Sequence, residues 1–235
     1  MDKCPSQASQ STVSVDRLGR LTVIRLEGNI GYDGSAGGGV HVPATVRRQQ
    51  LIEAAVRLMA RDGMDGATLR AIAKEADAPL ATVHYCFTDK DELMSAASEH
   101  WLSELVGSMT GDVVSESGLR ATVKEMADQW WADLERNPPN VLAQHELDLW
   151  AIRGTEHQDL AKSIYPRYVE ALTSRFTRAL QSAGEESSIP PELLARAFLA
   201  ILDGASFQYL ANPESPKARD LLHLLIDSLL LASGV

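Results

Sequence analysis

The chain has 235 residues, of which 45% are hydrophobic and 23% charged, and its formal net charge at pH 7 is −10. This length and composition suit one or two domains with buried cores. No run of about 18 to 20 apolar residues is present and the N-terminus does not resemble a signal peptide, so the sequence predicts a cytoplasmic protein without a membrane span. The two cysteines, Cys4 and Cys86, offer neither a disulfide framework nor a zinc knuckle.

The acidic excess lies entirely in the second part of the chain. Residues 1–91 carry 11 basic and 11 acidic groups, whereas residues 92–235 carry 11 basic and 21 acidic groups. The N-terminal part can therefore approach a polyanion such as DNA. By themselves, the cations between Arg47 and Lys74 are more typical of a solvated helix surface than of a DNA-binding surface.

Residues 1–43 differ in composition from the rest of the chain. Val13 to Leu26 shows the alternation of β-strands, but a glycine-rich stretch follows it, and we expect a flexible extension. The run Gly34 to Gly39 lacks the Lys and Ser or Thr of a phosphate-binding loop. An alternative hypothesis is that translation begins near Val40 or Val42, which the intact mass of the native protein tests.

From Ala44 onward the pattern becomes helical. Thr45 is a candidate N-cap for a first helix, which we expect to end near Asp62 and Gly63. Its apolar positions recur at intervals of three and four residues, which produces one buried stripe. That stripe consists of Ile52, Ala55, Val56 and Met59.

Two shorter helices follow the first. Thr68 is the predicted N-cap of the second helix, whose apolar face contains Ile72 and Ala73. Asp77 and Ala78 form the break. Pro79 then suits the first turn of a third helix that extends through Phe87.

Such a pair can act as a helix-turn-helix over residues 68–87, because the first member can hold the second in the major groove of DNA. Val83 and Phe87 are four residues apart and are predicted to face the core. The surface left for DNA, followed by a cation just beyond it, is Ala81, Thr82, His84, Tyr85 and Lys90. Many helix pairs share this spacing, so the helices alone do not establish DNA binding.

The segment from Arg48 to Leu93, and above all its runs TLRAIA at Thr68 and ADAPLATVHYCFTDKDEL at Ala76, resembles the DNA-binding domain of TetR-family regulators. The resemblance implies that Thr68 binds phosphate and that the surface of the third helix faces an operator. His84 stands where Tyr is most frequent in the family. Leu80 stands where a polar or basic residue is frequent, so it can read a methyl group or pack. The predicted DNA-binding set is Arg48, Thr68, Leu80, Ala81, Thr82, His84, Tyr85 and Lys90.

The fold class predicted from these features is all-α, with a DNA-binding domain over residues 44–91 and a larger helical domain over 92–235. We expect helices near residues 89–107, 118–136, 139–153, 155–183, 190–211 and 216–233. Pro166 should kink or interrupt the fourth of these, because proline removes a backbone donor.

Aromatic residues are concentrated in the larger domain, where the TetR resemblance implies a ligand pocket. For each residue alone, packing in a core is the stronger interpretation. The histidines lack the spacing of a metal motif, so neither a metal nor a cofactor is predicted. The candidate ligand-binding residues are Trp101, Trp130, Trp131, His145, Trp150, Tyr165, Tyr168 and Phe176.

The last two predicted helices carry more apolar residues than one core-facing stripe requires. A two-fold interface would cover the excess, and a helix-turn-helix protein needs a dimer to read two half-sites. A buried helix pair in a monomer is the alternative.

Taken together, these features predict a homodimeric regulator that binds double-stranded operator DNA. We expect a repressor that a small apolar or amphipathic effector releases, with the helix from Asp89 to Gly107 as the lever. The alternative is a DNA-independent helical protein that binds small molecules or acts as a scaffold. An enzyme is disfavoured, because the chain has no nucleophile elbow, metal-ligand cluster or phosphate-binding loop.

Overall fold

The computed structural model describes the backbone of residues 13–15, 21–23, 43–110 and 118–235, and the side chains of residues 43–107 and 118–235. The chain divides into two compact units, Met1–His41 and Val42–Val235. In the first unit, β1 (Val13–Val15) pairs antiparallel with β2 (Leu21–Val23), with Val13 opposite Val23. The β-prone segment therefore contains two short strands. The predicted flexibility of the extension, the hypothetical start near Val40 or Val42, and Cys4 lie outside the described residues.

The second unit is helical, which confirms the predicted all-α class. The boundaries of α4 to α9 differ from the expected ones by three residues at most. A 3₁₀ turn, Thr155–His157, precedes α7. The helices are α1 (Ala44–Gly66), α2 (Leu69–Glu75), α3 (Leu80–Cys86), α4 (Lys90–Thr110), α5 (Gly118–Arg136), α6 (Pro138–Arg153), α7 (Gln158–Ala183), α8 (Pro191–Ala211) and α9 (Lys217–Ser233).

Two predictions about helix α1, its N-cap and its last residue, are wrong. Its N-cap is Pro43 rather than Thr45, and the Arg47 amide donates to the Pro43 carbonyl at 2.9 Å. The rigid, extended proline already fixes the entry of the chain, so Thr45 lies inside the helix. The predicted end at Gly63 is a kink: Gly63 has a φ of +72°, and helical structure resumes until Gly66.

Pro166 does not interrupt α7, which runs from Gln158 to Ala183. A proline removes only one hydrogen bond, and the turns around it are held by burial of Ile164, Tyr168 and Val169. The helix ends at Gly184, whose φ of +65° suits a left-handed C-cap.

The larger core lies among α5, α7, α8 and α9. Phe176 is completely buried and meets Phe198 edge to face, with ring centroids 5.7 Å apart. Trp131 is 2% exposed and packs in the same way against Tyr209 at 5.2 Å. Both Phe176 and Trp131 are thus packed as core residues.

A second core joins α1 to α4 with α6. Residues of α1, α2 and α3 surround Ile72, Val83 and Phe87, but Ala143 and Leu147 of α6 belong to the same cluster. Trp101, from the distal half of α4, is 7% exposed and also packs here. The predicted domain boundary after residue 91 therefore crosses continuous packing.

Among the described helices, only α8 is long and apolar enough to cross a membrane by length and composition, with a mean hydropathy of 1.2. Core helices of soluble proteins pass the same test. Here Leu194, Phe198 and Leu202 of α8 are buried against other helices, so the feature is weak evidence for a membrane span.

The burial of Phe176 makes it a test of core packing. Phe176→Ala removes an aromatic ring from a closed site and should lower the free energy of unfolding by about 3 to 5 kcal/mol, because the cavity can collapse only in part. Chemical denaturation measures this loss. Leu142→Ala, at a residue 45% exposed, is the control and should change stability by less than about 0.5 kcal/mol.

Candidate DNA-binding surface and effector cavity

The turn between α2 and α3 is built by local hydrogen bonds. The Thr68 hydroxyl oxygen accepts from the Ala71 amide at 3.2 Å, which confirms Thr68 as the N-cap of α2. Asp77 adopts a φ of +48°, a left-handed conformation that Asp tolerates better than most residues. The Ala78 amide then donates to the Ala73 carbonyl at 2.9 Å. These bonds fix the angle at which α3 leaves the turn.

Helix α3 has one anchored face and one open face. Val83 is 1% exposed and Phe87, which caps the helix, is 2% exposed, as the sequence predicts. On the other face Ala81 and His84 are exposed, and the Tyr85 ring is 79% exposed. The open face holds three of the residues predicted to contact DNA.

Two predicted contacts on α3 are less accessible. Thr82 is half-buried, although it lies beside Ala81 on the helix. Leu80 packs partly against the core cluster of α1 to α4. Of the two roles that the sequence leaves open for Leu80, this packing favours the structural one.

Arg48 forms contacts within the protein. Its guanidinium lies 4.4 Å from the centre of the Phe87 ring and donates to Glu92 Oε1 at 3.1 Å. Glu92 Oε2 in turn accepts from the Thr88 amide at 2.8 Å and from its hydroxyl at 2.9 Å. Asp89 caps α4 through the Glu92 amide at 2.8 Å. This network ties the end of α3 to both α1 and α4.

The remaining cations of this region divide into two groups. Arg57 and Arg61 form salt bridges with Glu75. In the part of the chain that the structure describes, no salt bridge involves the other group, which is Arg47, Arg70, Lys74 and Lys90. Lys90 is half-buried at the first residue of α4. Free cations of this kind can neutralise phosphates.

A cavity of about 620 Å³ lies among α4, α5, α6, α7 and α8. Of the eight predicted ligand-binding residues, Trp130 alone contributes to its wall. The sequence analysis missed the other wall residues, although Met126, Trp130 and Asp133 follow the spacing of a helix face on α5. The remaining wall residues include Leu105, Gln129, Leu134, Asn140, Val141, Gln144, Arg175, Phe198 and Leu202.

The other candidate residues lie outside this wall. Trp150 stacks on His157 with ring centroids 4.1 Å apart. Tyr168 is 6% exposed. Its hydroxyl oxygen accepts a hydrogen bond at 3.3 Å from Nε2 of Gln144, which is a residue of the cavity wall.

A polar cluster lies beside Tyr168. Tyr165 donates its hydroxyl to Asp203 Oδ2 at 2.7 Å, and His145 Nε2 lies 2.8 Å from Ser206 Oγ. Burial raises the pKa of the Asp148 carboxyl to about 7, and the Asp203 charge adds to this effect. Burial also raises the pKa of Asp203 and lowers that of His145. The protonation of Asp148 in this cluster therefore changes near neutral pH.

One hydrogen bond connects the cavity helix with α1. Glu146 of α6 accepts from the Met64 amide at 3.0 Å, immediately after the kink at Gly63. The kink turns this amide away from the regular ladder of α1. This bond ties α6 to the last turn of α1.

Family models match both parts of the second unit. Residues 51–97 match the description "Bacterial regulatory proteins, tetR family", and residues 117–230 match "Tetracyclin repressor-like, C-terminal domain". The chain belongs to the TetR family. The predicted resemblance is thus confirmed, and the chain is a transcriptional regulator rather than an enzyme.

Similar proteins cover nearly the whole TetR-like region. The nicotine-responsive transcriptional repressor HdnoR of Paenarthrobacter nicotinovorans is 41% identical over 80% of this chain and 96% of its own length. The multidrug-binding protein EbrR, crystallised with ethidium, is 28% identical with a TM-score of 0.58 over 76% of this chain and 98% of that one. A regulator from Haloarcula marismortui shares the fold at 19% identity, with a TM-score of 0.64 over 81% and 97% of the two chains.

The Glu92 network yields a stability prediction. The pKa of the Glu92 carboxyl lies below the ordinary value of 4.5, because the Thr88 amide, the Thr88 hydroxyl and Arg48 stabilise its negative charge. The stabilisation is therefore complete above about pH 4.5 and is lost as the pH falls through the lower folded-state pKa. Glu92→Gln should lower the free energy of unfolding at pH 7 by about 1 kcal/mol.

Urea denaturation between pH 7 and pH 3 measures this effect. The difference between Glu92→Gln and the unmodified chain should shrink toward acidic pH. Glu104→Gln, at an exposed residue of α4, is the control and should leave the profile unchanged. A constant difference across the whole pH range would contradict the role assigned to the Glu92 charge.

Proposed function

We propose that this protein is a cytoplasmic homodimeric repressor that binds operator DNA through α3 and leaves it when an effector enters the cavity. The observation that carries the proposal is the division of α3 into an anchored and an open face. Val83 and Phe87 hold the helix, while Ala81, His84 and Tyr85 remain exposed to a partner. The chain belongs to a family of regulators that use a helix-turn-helix, and this membership supports DNA as the partner.

The chemistry of the open face fits the major groove. Ala81 permits close approach of the backbone, Thr82 and His84 can donate to phosphates or base edges, and the Tyr85 ring can contact a thymine methyl group. The Thr68 hydroxyl proton is available to a phosphate, because its oxygen serves as the acceptor in the cap. Arg48 then acts as support for α3 rather than as a phosphate ligand.

The exposed apolar surfaces of α8 and α9 support the proposed dimer. Leu193 and Phe207 of α8 are 55% and 50% exposed, and Leu224 and Leu231 of α9 are 62% and 78% exposed. Gly204 lies on the same side of α8 as Phe207, and a Cβ placed there would meet no atom within 4 Å. A second copy that covers this apolar surface would bring together two α3 helices, as two half-sites require.

The effector is proposed to be a small amphipathic molecule with a flat aromatic part. HdnoR is named for its response to nicotine, and it is similar to this chain over nearly its full length. EbrR binds ethidium, a flat aromatic cation. In this protein Trp130 and Phe198 supply aromatic wall area, while Gln129 and Gln144 supply hydrogen-bonding groups.

Release from DNA is proposed to pass through α6 as well as α4. The effector contacts α6 at the cavity, and the same helix holds α1 through Glu146 and through the shared core. An effector must bind the released conformation more tightly than the DNA-bound one. A loss of operator affinity of about a hundredfold requires roughly 2.7 kcal/mol of this difference.

Substitutions on α3 test the DNA surface. Tyr85→Ala and Thr82→Ala should weaken binding to the operator by about 1 to 3 kcal/mol and affect random DNA less, because these residues are assigned to bases. Lys90→Ala should weaken binding to both and reduce the salt slope by about one unit. Mobility-shift titrations on the DNA that flanks the gene measure all three.

The control for these titrations is Lys162→Ala, which removes an exposed cation of α7 far along the chain from α3. It should leave operator affinity and salt slope unchanged. Absence of salt-dependent binding by the unmodified protein to either DNA would favour the DNA-independent binding or scaffold function. Unchanged binding by all three folded α3 variants would remove α3 from the groove.

A substitution at Gly204 tests the dimer. Gly204→Leu has room in the isolated chain but would insert a side chain into the proposed interface. It should weaken dimerisation by about ten- to hundredfold, because overpacking a close helix contact costs about 1 to 3 kcal/mol. Sedimentation velocity measures the association. Gly107→Leu, at another exposed helical glycine with open space around its Cβ position, should leave the dimer intact.

A further inference from the structure

Two carboxylates are held near each other between α6 and α8. Asp148 of α6 and Asp203 of α8 are both only partly accessible, and the charge of Asp203 raises the pKa of Asp148. Among the described residues, neither carboxylate forms a salt bridge with a Lys or Arg, and His145, whose own pKa is lowered by burial, is the basic group whose charge acts on Asp203. The pair therefore lacks the cation that partly buried carboxylates usually have.

Two tyrosines of α7 lie beside this pair, and Tyr165 donates its hydroxyl to Asp203. Tyr165 and Tyr168 lie edge to face with ring centroids 6.4 Å apart, and both experience the charges of Asp148 and Asp203. On the other side the His145 ring stacks on Phe207 at 4.3 Å. Aromatic faces next to carboxylates are the combination that binds alkylated ammonium groups.

The chemistry of the cluster favours an organic cation over a metal ion. The described residues contain no group of three or more His, Cys, Asp or Glu side chains that could hold a metal ion. Aromatic rings offer a metal ion no lone pairs, whereas they stabilise a diffuse positive charge.

The cluster also lies next to the cavity. Gln144 forms part of the cavity wall, and its amide donates to the Tyr168 hydroxyl oxygen at 3.3 Å. Asp148 lies one helical turn after Gln144 on α6, so the wall residue and the carboxylate share one side of this helix.

We propose that Asp148, Asp203, Tyr165 and Tyr168 bind the positively charged nitrogen of an organic cation, and that the effector of this regulator belongs to that chemical class. The inference rests on the proposed function, because it assigns a chemistry to the effector of the same cavity. Protonated tertiary amines and quaternary aromatic cations are both members of the class. Trp130 would contact the flat part and the acidic cluster would select for charge.

Nicotine and cotinine form a matched pair of probes. The pyrrolidine nitrogen of nicotine is protonated at neutral pH, whereas the corresponding nitrogen of cotinine belongs to a neutral lactam. Isothermal titration of the DNA-free full-length protein should give an affinity for nicotine at least on the order of tenfold higher than for cotinine.

Charge-neutral variants identify the site. Asp148→Asn and Asp203→Asn should each weaken nicotine binding by on the order of tenfold and leave cotinine binding unchanged. Asp159→Asn removes a fully exposed carboxylate of α7 and is the control. If Asp203→Asn fails to fold by circular dichroism, Asp148→Asn decides the matter, because no described residue forms a hydrogen bond with Asp148 that its loss would break.

Ethidium supplies a pH readout, because its charge does not change with pH. The titratable groups that face the site are His145, Asp148, Tyr165, Tyr168 and Asp203. With a pKa of about 7, Asp148 is protonated in part at neutral pH and must lose its proton to attract a cation. Ethidium affinity should therefore rise from pH 6 to pH 8, with proton release at pH 7 that Asp148→Asn removes.

Distinct outcomes separate this inference from the proposed function. Absence of binding by both cations, equal affinity for nicotine and cotinine, or unchanged cation affinity in Asp148→Asn would each overturn the cation site. The mobility-shift titration is independent of these results, so operator binding without cation binding would leave the repressor in place. Cation binding without operator binding would support the cation site and contradict the repressor function.

Discussion

The packing of α6 against α1 is the contact on which the rest of the molecule depends. Helices α1, α2 and α3 bury Ile72, Val83 and Phe87, but they do not close this core by themselves. Ala143 and Leu147 of α6 complete it, together with Trp101 of α4. The direction of α3 is therefore a property of the whole helical unit, because three helices of this size bury too little apolar surface to be rigid alone.

Two sides of helix α6 make different contacts. Ala143, Glu146 and Leu147 lie toward α1, where Glu146 holds the Met64 amide. Gln144 and His145 lie toward the cavity wall and α8. A helix is stiff along its axis, so a shift that starts on one side displaces the other side by a similar distance. This arrangement gives the proposed effector cavity a short physical route to the proposed DNA-binding surface.

The sequence predicted what local chemistry determines. Thr68 as a cap and the burial of Val83 and Phe87 depend on neighbours within one or two turns, and all are present. Pro79, predicted in the first turn of the third helix, is the N-cap of α3, one residue before that turn. The helix boundaries of the larger domain followed from Gly and Pro in the same way. The kink at Gly63 was not predicted, because it is stabilised by Glu146 from a distant part of the chain.

The cavity was predicted less well, because the residue type does not reveal which side of a helix meets a void. Trp130 and Trp131 are adjacent in sequence, yet one lines the cavity and the other is buried against Tyr209. The glutamines of the wall and the pair Asp148 and Asp203 gave no signal, since single polar residues on helices are usually solvated.

The shared core of α1 to α4 with α6 also has an evolutionary consequence. Residues on the open face of α3 can change to recognise new operators without disturbing the core. If helices α1 to α3 were joined to the effector domain of another protein, that domain would need the matching surface of α6 for the helices to fold and respond.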